Sequence, residues 1–66
     1  MEIMVNGQVQ PVQENCTILQ LINSLGLENK RLAVEVNLTI VPRSQFATRI
    51  LTQGDKLEIV QAIGGG

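Results

Sequence analysis

Apolar positions along this chain change period several times, and each change marks an element. Ile3 and Val5 alternate with polar neighbours over residues 2–6, which predicts a strand. Asn6-Gly7 follows, a pair suited to the positive φ angles of a two-residue type I′ hairpin turn. The return strand is placed at residues 8–13, carrying Val9 and Val12. Pro11 lacks an N–H, so this strand belongs at a sheet edge. The period then becomes helical: Ile18, Leu21, Ile22 and Leu25 form one apolar stripe. Thr17 is the expected N-cap, with Gln20 three residues on in a capping box, and Gly26 the residue that ends the helix. Cys16, just before the cap, is placed to pack on Leu21 as a hydrophobic staple.

Strand periodicity returns at residues 32–37, with Leu32, Val34 and Val36 on one face. Asn37-Leu38-Thr39 turns the chain into a short strand, Ile40-Val41, which Pro42 ends. Ser44 is read as the cap of a single helical turn that brings Phe46 onto the core. Gly54-Asp55 turns into a last strand at residues 56–63, with Leu57 and Ile59 facing one way and Glu58 and Val60 the other. A hairpin, a crossover helix and further strands make an α+β fold of two layers. The helix covers one sheet face. The other face carries Met4, Val60 and Ala62 beside Glu58, and is the expected partner-docking face.

Composition narrows the function classes. Sixty-six residues, 44% apolar and 17% charged, suit one small domain with a thin core. A net charge of -1 and a single aromatic residue, Phe46, argue against nucleic-acid binding. With no histidine and one cysteine, the chain offers no zinc site and no nucleophile-histidine pair, so neither a metal centre nor catalytic residues are expected. Asp55 with Glu58, and Glu14, read as turn and surface charges. Cys16 alone forms no internal disulfide and fits a reducing, cytoplasmic setting. No signal peptide or membrane-spanning run is expected.

The end of the chain is unusual. Gly7, Gly26 and Gly54 each serve a turn or cap, whereas Gly64-Gly65-Gly66 follow the last strand with no reversal to make. Two readings stand on the residues alone. One is a disordered end; the other is a working α-carboxylate on Gly66, reached through residues without a Cβ. Residues 1–63 are expected to form the domain and residues 64–66 a flexible tail.

The Asn6-Gly7 hairpin, the Thr17-initiated helix, Val36-Asn37 leading to Ile40-Val41-Pro42-Arg43, the run from Gly54 to Val60 and the final Gly65-Gly66 together resemble the ThiS family. These are ubiquitin-like sulfur carriers of thiamine biosynthesis, and the resemblance covers the whole chain. It implies a β-grasp fold, a mixed sheet of four to five strands around one main helix. It implies that Gly66 is adenylated by a ThiF-like enzyme and converted to a thiocarboxylate. Gly64 and Gly65 then serve tail recognition, giving clearance in a narrow channel. Sulfur comes ultimately from a cysteine desulfurase and passes to the thiazole synthase ThiG. The chain acts as a cosubstrate, monomeric when free. ATP and magnesium belong to the activating enzyme, so no cofactor is assigned to this chain. Three alternatives stay open: a MoaD-like carrier for molybdopterin synthesis, a tag conjugated to protein lysines, and a β-grasp interaction module with an inert tail. MoaD-like chains are longer and carry Pro-Pro before the end, where this chain has Gln61-Ala62-Ile63. On this reading Gly65→Val abolishes thiocarboxylate formation and leaves the fold intact. Thiocarboxylation of that variant at the normal rate, read by intact mass, would show that tail clearance is not required.

Overall fold

The computed structural model describes residues 1–61. The expectations for Ala62, Gly64, Gly65 and Gly66 lie outside the described residues. Among the described residues, five strands and one α-helix follow in the order β1 (Glu2–Val5), β2 (Gln8–Pro11), α1 (Ile18–Ser24), β3 (Leu32–Val36), β4 (Thr39–Val41) and β5 (Lys56–Gln61). They form a mixed sheet in the order β2-β1-β5-β3-β4. β1 and β5 are parallel, and the other pairs are antiparallel. The last strand in sequence is therefore the middle strand in space. β2 is an edge strand, as Pro11 requires, although it ends at Pro11 and not at Gln13.

Helix α1 has only seven residues, too few to be stable alone. Its ends are closed instead. The Thr17 hydroxyl accepts from the Gln20 N–H at 3.1 Å, and the Thr17 N–H donates to Gln20 Oε1 at 2.9 Å, which is the expected capping box. The Ile18 and Leu19 N–H groups donate to the carbonyls of Arg49 and Phe46, so the segment before β5 covers the rest of the helix N-terminus. At the other end Gly26 (φ +74°) and Leu27 donate back to Asn23 and Ile22, a Schellman closure. Here the sequence stripe needs correction. Ile18, Leu21 and Ile22 are buried, but Leu25 is the C-cap and is exposed. The reversal at Gly26 turns Leu27 onto the core in its place.

Ile3, Val34, Val36, Leu57 and Ile59 from the sheet meet Ile18, Leu21 and Ile22 from the helix, with Val41, Phe46 and Leu51 closing the sides. Each such side chain, fully buried, contributes about 1.5–3 kcal/mol. Phe46 is core, as expected, but Ser44 is not the cap that delivers it. A 3₁₀ turn at Arg43–Gln45 begins from Pro42, whose carbonyl accepts from the Gln45 N–H at 2.9 Å. Proline presets the extended entry, so no hydroxyl cap is needed.

Asp55 departs from the reading as a turn or surface charge: it is buried at 7% exposure. Oδ2 accepts from the Thr52 N–H at 2.8 Å, and Oδ1 accepts from the Thr52 hydroxyl and from Asn37 Nδ2 at 3.1 and 3.0 Å. Burial pushes the Asp55 carboxyl up. The donors from Thr52 and Asn37, with the nearby Arg49 charge, outweigh burial and hold it below the usual carboxylate range.

The β3–β4 hairpin turns on Asn37 (φ +51°) and Leu38 (φ +72°). Leu38 occupies a left-handed conformation at 86% exposure, with no packing to offset the strain. Leu38→Gly is expected to raise stability by about 1 kcal/mol, seen as a higher urea midpoint at unchanged slope. Asp55 has its native pKa depressed, so the folded state binds fewer protons than the unfolded state. Its stabilisation is complete above the unfolded value of about 4 and is lost as pH falls through the native pKa. Asp55→Asn turns an amide toward the Thr52 N–H. It is expected to cost about 1–3 kcal/mol at neutral pH and to flatten the acid limb of stability in urea titrations from pH 7 downward.

Candidate functional site

The described part of the site is the central strand that leads to the glycine end, together with the sheet face it shares. Lys56–Gln61 alternates as expected: Leu57 and Ile59 are buried against the helix, and Lys56, Glu58 and Val60 lie on the outer face. β1 follows the same alternation, with Ile3 inward and the half-buried Met4 outward. Met4 and Val60 therefore share the outer face, but the register separates them. Met4 stands opposite Lys56, four positions before Val60. At the rise of an extended strand that is roughly 13 Å.

The apolar neighbours of each are different residues. Val60 has Ala33 directly across on β3, and the next row along the sheet runs Glu58, Glu35, Ile40. Val60 is 58% exposed and Ile40 70%. Met4 instead faces Val9 on β2, itself well exposed. The outer face thus holds two apolar patches, one around Val60 and Ile40 and one around Met4 and Val9. Leu38 extends the first patch at the hairpin tip. It also helps line a shallow cavity of about 440 Å³ with Glu35, Asn37, Gly54, Lys56 and Glu58. Ile40, Val9 and Leu38 did not figure among the expected docking residues. The signal for Ile40 was present: Val41 pairs with core Val34, so its neighbour Ile40 must point outward.

Glu35 and Glu58 face each other directly across β3 and β5. Like charges at a cross-strand position are unfavourable. They lie between Ile40 and Val60, so the patch is apolar at its flanks and acidic at its centre.

Two asparagines hold β5 to its neighbours. Asn37 donates its N–H to the Lys56 carbonyl at 2.7 Å, and its Oδ1 accepts from the Lys56 N–H at 3.0 Å. Asn6 Oδ1 accepts from the Ile59 N–H at 2.8 Å, and Asn6 Nδ2 donates to the Ile59 carbonyl at 3.0 Å. Both residues have the positive φ of a hairpin turn, 50° and 51°. The turn preference of Asn6 is legible in sequence; the use of its side chain is not.

Cys16 is buried in the core with Leu21, and its Sγ–H lies 3.4 Å from the Thr17 carbonyl. Burial pushes the thiol pKa up, which disfavours the thiolate. The residue packs as a staple. Among the described residues, no group of three or more histidine, cysteine or carboxylate side chains is arranged to hold a metal ion. No helix among them is long and apolar enough to cross a membrane.

Comparison with known proteins places this geometry. The model of the ThiS family matches residues 3–66. The sulfur carrier protein ThiS of Escherichia coli (strain K12) is 33% identical over 66 residues, covering all of both chains. A thiazole synthase of Paramagnetospirillum magneticum is 42% identical over 66 residues, and the chain spans 20% of that protein's length. The crystal structure of the thiamine biosynthesis protein ThiS from Geobacter metallireducens superimposes with a TM-score of 0.85 at 28% identity, covering all of both chains. The mixed sheet on one helix is the β-grasp architecture of these proteins, and the chain belongs to the ThiS family.

Proposed function

We propose that this chain is the sulfur carrier of thiazole formation in thiamine biosynthesis, with the α-carboxylate of Gly66 as its working group. A carboxylate is a poor acyl donor because oxide is its leaving group. Attack of a Gly66 carboxylate oxygen on the α-phosphorus of ATP, in a ThiF-like enzyme, releases pyrophosphate and leaves an acyl-adenylate. Hydrosulfide attack on that carbonyl expels AMP and leaves a thiocarboxylate. A persulfide donor gives an acyl disulfide, whose S–S bond a thiol must then reduce. The thiocarboxylate sulfur passes to a thiazole synthase, and the sulfur derives ultimately from a cysteine desulfurase. The chain supplies neither acid nor base. It is a cosubstrate, and ATP and magnesium belong to its activating enzyme.

The observation that carries this reading is the family match over residues 3–66, which takes in the glycine end. The thiazole synthase relative supports the recipient, since a segment like this chain lies within that enzyme. That likeness also favours thiazole formation over a MoaD-like role. The folded domain contributes by docking, which turns a weak peptide substrate into one held beside ATP. Docking is assigned to the outer sheet face. The expected residues Met4, Val60 and Ala62 belong to this assignment, with the Val60–Ile40 patch its most exposed described part. Glu35 and Glu58 at the patch centre suit a partner that brings a cationic side chain between apolar neighbours.

Incubation with MgATP, sulfide and a purified ThiF-type enzyme, followed by intact-mass measurement, tests the reading. A gain equal to the sulfur-for-oxygen difference is expected. A chain carrying one extra alanine after Gly66 is expected to stay unmodified; full conversion of that extended chain would show that Gly66 is not the reacting residue.

A further inference from the structure

The backbone pairing of β1 with β5 stops early. Val5 is the last residue in register, opposite Leu57, and the Asn6 N–H donates to the Leu57 carbonyl at 2.9 Å. Asn6 (φ +50°) and Gly7 (φ +84°) then turn the chain away into β2. Peptide groups along β5 alternate between its two edges. The Lys56 carbonyl points to β3, where Asn37 donates to it, and the Leu57 carbonyl points to β1. Ile59 therefore points to the β1 side, where no β1 backbone remains.

The Asn6 side chain occupies that place. A carboxamide carries the same donor and acceptor as a peptide unit. Its two bonds to Ile59, 2.8 Å and 3.0 Å, reproduce a strand pairing without a strand. On the opposite edge β3 continues to pair through Leu32 and Gln61. β5 is thus held on both edges around Ile59, by Asn6 on one side and by β3 on the other, and among the described residues Ile59 is the last to bond on the β1 side. Gly66 stands seven positions further along the sequence.

We infer that Asn6 is a positioning residue for activation of the C-terminal glycine: its carboxamide holds the β1-side edge of β5 at Ile59, on the strand that leads to the glycine end. The inference rests on the sulfur-carrier reading. A docking face and a reacting carboxylate on one chain cooperate only when the segment joining them has a defined origin. Each further residue released from the sheet multiplies the conformers among which the reactive one must be found. A misplacement of about 1 Å at a reacting centre can cost about a hundredfold in rate. Asn6 bonds the backbone of Ile59, whose side chain faces the helix, so its loss removes no side chain from the outer face.

Asn6→Gly separates the roles, because glycine keeps the positive φ of the turn and removes only the carboxamide. Asn6→Asp is the second variant. It also tolerates the turn and still accepts from the Ile59 N–H, but it sets a carboxylate against the Ile59 carbonyl. Single-turnover adenylation, with a ThiF-type enzyme in excess and pyrophosphate release as readout, gives a limiting rate and a half-saturating concentration. Native-state hydrogen exchange of the Ile59 amide is read in parallel. Asn6→Gly is expected to lose protection at Ile59 and to lower the limiting rate by about tenfold or more, with the half-saturating concentration within about twofold of wild type. Asn6→Asp is expected to lower the limiting rate as well. An Asn6→Gly chain that loses Ile59 protection yet keeps the wild-type rate overturns the inference. So does a change confined to the half-saturating concentration, which would make Asn6 a docking residue. If Asn6→Gly does not fold, the same rate criterion on Asn6→Asp decides. Absence of pyrophosphate release from the wild-type chain overturns the carrier reading and this role with it. Normal release from wild type and both variants overturns the role alone.

Discussion

Everything in this structure depends on the placing of β5 between β1 and β3. The strand arrives last in the chain and is central in the sheet, so neither half of the sheet is joined to the other without it. The hydrogen bonds between Asn6 and Ile59 span 53 residues, nearly the length of the molecule. Closing such a loop costs chain entropy before any contact rewards it. The reward is concentrated where the two hairpin turns meet the strand. Asn37 grips its beginning and Asn6 grips it near its end. One residue type serves two purposes at both places. Asparagine tolerates a left-handed backbone, and its carboxamide then substitutes for the peptide group that the turn has carried away.

The same economy appears around the helix. A seven-residue helix has more terminal backbone groups than internally paired ones. Thr17 and Gln20 satisfy one end locally, and the carbonyls of Phe46 and Arg49 complete it. The irregular segment between β4 and β5 is therefore not a slack connection. It delivers Phe46 and Leu51 to the core and caps the helix, while Thr52 fixes Asp55 at the entrance to β5. Core, cap and central strand form one cooperative unit, which suits a domain small enough that no part has apolar surface to spare.

The proposed docking would use what this unit leaves over. The inner face of the sheet is consumed by the helix. The outer face retains exposed Val60 and Ile40, an unfavourable pair of glutamates and a strained leucine. Such features cost stability and gain nothing within the isolated chain. On the proposed carrier reading, this is the face offered to a partner enzyme.

The sequence by itself determined the elements, because local rules suffice for them: alternation for the strands, the Thr17–Gln20 box and Gly26 for the helix, Asn6-Gly7 for the first hairpin. It also pointed, through resemblance, to the family that the comparisons show, from which the chemistry of the glycine end is proposed. Leu25 and Ser44 were misread for local reasons: the reversal at Gly26 turns Leu27 onto the core in place of Leu25, and Pro42 begins the turn assigned to Ser44. Asp55 looked like a turn charge because its burial depends on Asn37, which only the β3–β5 pairing brings to it. Met4 and Val60 looked like one patch because alternation reports the face of a residue and not its row. Register, strand order and the second use of Asn6 and Asn37 were settled by the tertiary structure alone, since each depends on which strands become neighbours.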